Sequence, residues 1–263
     1  MTDISIGQFF PGNSVLHRMD PRIKIVLLGA LFVIIFSSYN LLSSAITALF
    51  ILFIVLLSGI SFKFYLKGLK TVIFIVIFTS VFNLFYGTGE VLFQFYFLKI
   101  TWSGIFNTLR ICFRIISLIF CSTALTFTTS PNSFTEAIER LIKPLEIFHV
   151  KVHEIAMMMT IALRFIPTLL EETDKIIKAQ KARGAELETG NLSKRVKALI
   201  PILIPLFVSA FRRAYELATA MECRCYNGGK GRTKMKILRI QKLDVYAMII
   251  SAALFVGVIL CNL

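Results

Sequence analysis

Residues 42–62 read LSSAITALFILFIVLLSGISF, a run of 21 residues without a charge. As an α-helix rising ~1.5 Å per residue it crosses a hydrocarbon core of about 30 Å, and it has no polar face to offer water. The run is a membrane span, and it sets the class of the whole chain. Of the 263 residues, 56% are hydrophobic and the mean hydropathy is +0.77, well beyond soluble proteins. The net charge of +14 then has to lie outside the hydrocarbon, so it is first of all a topology signal.

Upstream of this span lies an arm of about twenty residues, turn-rich at Pro11-Gly12-Asn13-Ser14. Asp20 is placed to cap a helix whose first turn takes Pro21, and Ile23 to Tyr39 forms a first span before a turn at Asn40. Arg18, Arg22 and Lys24 precede the apolar run of that span, but no small-residue cleavage site follows it, so it reads as retained rather than removed as a signal. Downstream, Lys63, Lys67 and Lys70 lead into Thr71–Tyr86, which crosses back toward Gly87-Thr88-Gly89. Both basic clusters fall on one side, the cytoplasmic one if the N-terminus is inside. Val91–Ile100 is short, aromatic and β-prone, and predicts a hairpin or interfacial flap. Thr101–Thr129 is a fourth span that carries Arg110 and Arg114 on one helical face. Charges at that depth snorkel, bridge to neighbouring carbonyls or meet a partner subunit.

After Thr128-Thr129-Ser130-Pro131 the composition changes. Asn132–Phe148 predicts a mixed amphipathic helix capped by Asn132 or Ser133, with Glu136 one turn on. From Val150 the apolar positions Ile155, Met159, Ala162, Ile166 and Leu169 step by three and four in a long stripe that ends at Gly184. A further helix spans Leu192–Tyr226, with Pro201 and Pro205 on one face as bends. Asn227–Lys242 is a basic, glycine-rich connector, and Val245–Leu263 is a last uncharged span. Ile155–Leu170 and Ala198–Phe211 are apolar enough to count as spans too. Both runs are short, and crossing there would export Lys175, Lys178, Lys181, Arg183, Lys194, Arg195 and Lys197. Between Ser130 and Lys242, 20 Lys or Arg stand against 11 Asp or Glu, which favours a cytoplasmic placement. The expectation is an all-α membrane protein with about five transmembrane helices and a module of about three amphipathic helices. Residues 1–129 hold the arm and four spans, 130–242 the cytoplasmic module, and 243–263 the final span.

Catalytic signatures are weak throughout. The cations sit on helices with long apolar faces and no nucleic-acid-binding module, so nucleic acid is not a partner. The five cysteines are odd in number and mostly inside apolar runs, which argues against a disulfide framework. His149 and His153 have a metal-compatible spacing, but no third ligand stands near and H-E-x-x-H is absent. Cys223 and Cys225 point about 200° apart on a helix and cannot chelate one ion. Gly228-Gly229-Lys230-Gly231-Arg232-Thr233 lacks the order and the preceding strand of a phosphate loop. What remains are two cationic helix ends, Ile176–Ala185 with Arg183 and Met221–Gly229 with Arg224. Taken singly, each arginine reads as a favourable macrodipole interaction of about 0.3–1 kcal/mol. Small residues beside each (Ala179 and Ala182; Ala218 and Ala220) also let a helix end enter a groove while the guanidinium fork pairs there.

Several strings resemble one family. They are Gly12-Asn13-Ser14 with Leu16-His17-Arg18-Met19-Asp20-Pro21-Arg22-Ile23-Lys24, then Leu125-Thr126-Phe127-Thr128-Thr129-Ser130-Pro131, and Ala162-Leu163-Arg164-Phe165-Ile166-Pro167. With Ala179-Gln180-Lys181-Ala182-Arg183-Gly184 and Ala220-Met221-Glu222-Cys223-Arg224-Cys225-Tyr226, the chain resembles the transmembrane T component (EcfT, CbiQ-type) of energy-coupling factor transporters over nearly its whole length. The second A-R-G motif departs from the pattern, because Cys223 and Cys225 replace alanine and glycine.

The resemblance implies a non-catalytic scaffold in a bacterial or archaeal cell membrane, with the N-terminus and coupling helices cytoplasmic. Ala182, Arg183, Gly184, Cys223, Arg224 and Cys225 would dock on two ABC-type ATPase subunits. Met158, Met159, Ala162, Ile166, Pro167, Pro201 and Pro205 would meet a small substrate-binding membrane subunit, the S component, that takes up a vitamin or micronutrient. ATP and Mg would be held by the ATPases, with no cofactor or metal on this chain; lipid is its remaining partner. The unequal flanks of the two arginines predict two non-identical ATPases. A T component dedicated to cobalt or nickel, a membrane-embedded lipid-modifying enzyme, and a channel or transporter working alone are the competing readings.

Overall fold

The computed structural model describes residues 9–85, 91–95, 98–185, 192–229, 238 and 240–262. The expected arm before Phe9, the turn at Gly87-Thr88-Gly89 and most of the connector, residues 230–237 and 239, lie outside the described residues. Among the described residues the fold is all-α apart from one hairpin: α1 (Val15–Arg18), α2 (Pro21–Ser37), α3 (Leu41–Ser58), α4 (Phe62–Phe85), β1 (Val91–Phe95), β2 (Leu98–Thr101), α5 (Trp102–Thr128), α6 (Pro131–Ile142), a 3-10 turn (Lys143–Phe148), α7 (Val152–Ala182), α8 (Leu192–Cys223) and α9 (Lys242–Asn262). β1 and β2 pair antiparallel, as expected of a hairpin there. The chain divides into two compact units, residues 1–137 with 236–263, and residues 138–235.

The first unit packs α2, α3, α5 and α9 around Leu31, Ile34, Ile35, Ile51, Cys121 and Val258. A second cluster joins α3, α4 and α5 through Val55, Tyr65, Ala124 and Phe127, and Phe10 of the N-terminal arm seals it. α2 begins as its sequence dictates. The Asp20 carboxylate accepts the Arg22 N–H at 2.9 Å, and Pro21 occupies the first turn, where a missing N–H costs nothing. The Asp20 N–H in turn donates to Asp244 Oδ1 at 2.9 Å, and Asp244 Oδ2 accepts the Gln241 N–H at 2.8 Å. A fully buried carboxylate thus caps α9 and ties it to the start of α2. Arg22 holds Asp20 at 2.7 Å and the Leu238 carbonyl at 3.1 Å.

The other end of α2 explains Arg110 and Arg114. With 17 residues, α2 is only about 25 Å long at ~1.5 Å per residue, so its last carbonyls end close to hydrocarbon and need donors. Arg114 Nη2 donates to Phe36 O at 3.0 Å and Arg110 Nη2 to Tyr39 O at 2.9 Å, while Asn262 of α9 donates to Ser37 O. The Arg114 guanidinium also lies over the Phe36 and Tyr39 rings, at 5.7 and 5.4 Å. Both arginines therefore bridge to neighbouring carbonyls, one of the readings open from sequence.

In the second unit α7 and α8 form an antiparallel pair. Glu172 on α7 accepts from Arg213 at 3.0 Å, and eight residues further along α7 Gln180 reaches back to the Pro201 carbonyl at 3.4 Å. Among the described residues, six helices are long and apolar enough to cross a membrane: α3, α4, α5, α7, the part of α8 from Val196, and α9. That list corrects one step of the sequence reading. α7 and α8, with 31 and 32 residues, are not too short to span, since the apolar runs are only parts of longer helices; what distinguishes them is their charge. The amphipathic helix expected over Asn132–Phe148 stops at Ile142 and tightens into the 3-10 turn, because Pro144 has no N–H to continue the ladder. Its cap lies two to three residues earlier than expected: Ser130 Oγ accepts the Ser133 N–H at 3.3 Å, with Pro131 at the first helical position.

Candidate docking ends of two helices

α7 and α8 finish in the same backbone motif. At the first end, Ala185 N–H donates to Gln180 O and Gly184 N–H to Lys181 O, both at 3.0 Å. Gly184 takes φ +85°, in the left-handed region. At the second end, Tyr226 N–H donates to Met221 O at 3.0 Å and Cys225 N–H to Glu222 O at 2.8 Å. Cys225 takes φ +55°. These paired bonds, from six and four residues' span, are the Schellman closure of an α-helix, which satisfies two orphan carbonyls with one left-handed residue. Residues 180–185 and 221–226 correspond one to one, so Arg183 and Arg224 occupy the same position, the last residue before the chain reverses.

Both guanidiniums are exposed, as are Ala182, Gly184, Cys223 and Cys225. Among the described residues neither arginine has a side-chain partner, whereas Arg22, Arg110, Arg114 and Arg213 each have one. Cys223 and Cys225, which depart from the family's pattern, sit in a closure with the same backbone bonds as the first. Cys225 stands where glycine is favoured, and no β-branched or bulky side chain does.

The flanking surface is apolar. On α8, Val196, Leu199, Leu203, Phe207, Phe211 and Tyr215 are all exposed and recur every three to four residues. Pro201 and Pro205 are exposed as well, on the opposite side of the helix from this stripe. On α7, Met158, Ala162, Ile166 and Pro167 are exposed and Met159 is half-buried, so the first half of the expected stripe is open. Its second half turns inward, with Leu169, Thr173, Ile176 and Gln180 partly covered in the stretch that meets α8. His153 meets Glu139 of α6, with Nδ1 at 3.2 Å from Oε1, rather than His149, which closes the 3-10 turn at φ +62°. A Cβ on Gly229 would come within 2.5 Å of the His153 ring, so glycine lets the chain after the second end lie against α7. Among the described residues no group of three or more potential metal ligands comes together.

Residues 12–235 match the family described as CbiQ, cobalt transport protein. The chain belongs to the CbiQ family. Its relatives include energy-coupling factor transporter transmembrane proteins EcfT from Ruminiclostridium cellulolyticum, 52% identical over 98% of this chain and 97% of that one. The Thermosediminibacter oceani protein of the same name is 49% identical over 99% and 98%, and the Bacillus subtilis protein 45% identical over 97% of each. This CbiQ-family chain is accordingly the transmembrane component of an energy-coupling factor transporter, a subunit and not an enzyme.

Sequence reasoning singled out both arginines but not the shared closure around them, whose second left-handed residue carries no glycine to mark it. It also passed over Asp244, although a lone acid three residues after Gln241 at the head of an apolar span is half of a capping box. The Glu172–Arg213 pair was equally hidden, because ion pairs between helices follow from packing and not from spacing.

Proposed function

We propose that the α7 and α8 ends are the two levers by which ATP-driven motion enters this subunit. Arg183 and Arg224 dock in grooves on two ABC-type ATPase subunits, which hold the ATP and Mg. The exposed stripe on α8 and the Met158–Pro167 surface of α7 pass the motion to a separate substrate-binding membrane subunit that carries the vitamin or micronutrient. The N-terminus and both helix ends lie on the cytoplasmic side, as the excess of Lys and Arg supports. The observation that carries this reading is the repeated closure: one backbone motif, built twice, holds an exposed arginine at the same position each time. That closure is common at helix ends; what it adds here is an exposed guanidinium at the same position on both, whose fork suits a carboxylate or carbonyl groove.

Purification of the subunits after Arg183→Glu, Arg224→Glu and their combination tests the reading. Loss of a contact with an ATPase carboxylate typically costs about 2–5 kcal/mol, so each single reversal is expected to weaken ATPase retention at least about thirtyfold and the double to abolish it together with uptake. An intact complex with normal uptake from the double variant overturns the docking role. The same tips, differing in Cys223 and Cys225, favour two non-identical ATPase partners.

A further inference from the structure

The first unit contains an apolar cavity of about 260 Å³ between α2, α3, α5 and α9. Its wall runs along α2 from Lys24 to Leu31 and along α3 from Leu57 to Phe50, a length of about 10 Å at ~1.5 Å per residue. Phe53 on α3 and Tyr246 and Ile250 on α9 line it and are 48%, 64% and 50% exposed, so it opens sideways between these two helices, toward the bilayer. An apolar void of this size offers water no partners, and the abundant apolar molecule at its mouth is an acyl chain.

One end of the cavity is cationic. Lys24 lines it and is 7% exposed; its ammonium donates to Thr128 O at 3.0 Å and Thr129 Oγ1 at 3.3 Å, with the Asp20 and Asp244 carboxylates close enough to act on its charge. Arg18 belongs to α1, whose Val15 and Leu16 line the same end, and Lys242 precedes the lining residue Leu243. Both are exposed, and neither has an ion pair among the described residues. The far end, at Leu31 and Phe50, has no charge. A chain-sized apolar slot with cations at one end matches an amphiphile with a negative head.

We propose that this cavity binds an anionic phospholipid, with one acyl chain inserted between α3 and α9 and the phosphate held by the exposed Arg18 and Lys242. The full chain, reconstituted in equal parts phosphatidylglycerol and phosphatidylcholine and then released into native mass spectrometry, tests it. The expected result is one retained phosphatidylglycerol per chain, preferred about fivefold or more over phosphatidylcholine. Ala247→Phe, which fills the slot, is expected to remove the retained lipid. Arg18→Gln with Lys242→Gln is expected to lower the preference at least about threefold while a chain is still retained. Equal retention of both lipids, retention unchanged by Ala247→Phe, or displacement of the phospholipid by added oleate overturns the proposal. A second readout needs no cavity-filling change: with Trp102→Phe and Tyr246→Trp, bromine-labelled phosphatidylglycerol quenches the new tryptophan more than labelled phosphatidylcholine does. Equal quenching also sinks it.

Discussion

Cys225 adopts at one helix end the left-handed conformation that Gly184 adopts at the other. A Cβ in that region costs about 1–2 kcal/mol, and glycine removes the cost. Cys225→Gly is therefore expected to stabilise the end of α8 by about 1 kcal/mol, seen as slower hydrogen exchange at the Cys225 and Tyr226 amides. Gly184→Ala should weaken the end of α7 by a similar amount. Unchanged protection in both variants would contradict the shared closure. The first closure was legible, since Arg183-Gly184 after a long amphipathic stripe is a C-terminal signal. The second was not, because a cysteine carries no local preference for positive φ and only comparison of the two backbones exposes it. Arg110 and Arg114 teach the same lesson: their spacing put them on one face, but the carbonyls they satisfy lie some seventy residues earlier.

Helix positions followed from hydrophobic periodicity, and the described boundaries of α7 and α8 fall within a few residues of those expected. Periodicity located the apolar stripes without telling which stretch of α7 would be covered, since that depends on α8. The Glu172–Arg213 bridge marks the covered stretch. Glu172→Arg and Arg213→Glu should each loosen the pair and lower the unfolding temperature of the purified chain, and the double exchange should recover most of the loss. Equal damage from the double variant would show that the bridge does not orient the two helices. The open first half of α7 and the exposed face of α8 need no such partner within the chain, which is why sequence and structure agree better there.

The class of the molecule was plain from one uncharged run, whereas length does not fix the number of crossings: α7 and α8 are long enough to span, although their mean hydropathies of 1.3 and 1.4 fall well below the 2.3 of α9. Their antiparallel pairing sharpens the question. If each crossed the bilayer, Arg183 and Arg224 would emerge on opposite faces; if neither does, both face the ATPases. In a background with the native cysteines replaced, cysteines placed at Ala185 and returned at Cys223 should both react with a membrane-impermeant maleimide only in inverted vesicles. Labelling from opposite sides would overturn the five-span arrangement and the paired docking with it. The pairing has one further consequence. From the levels where Gln180 meets Pro201 and Glu172 meets Arg213, the two arginines lie about 33–39 Å apart along the pair at ~1.5 Å per residue, a span set by hydrogen-bonded helices that do not stretch. Two receivers gripping a strut of constant length cannot draw together without tilting it, so any approach between them reappears as torque on α7 and α8.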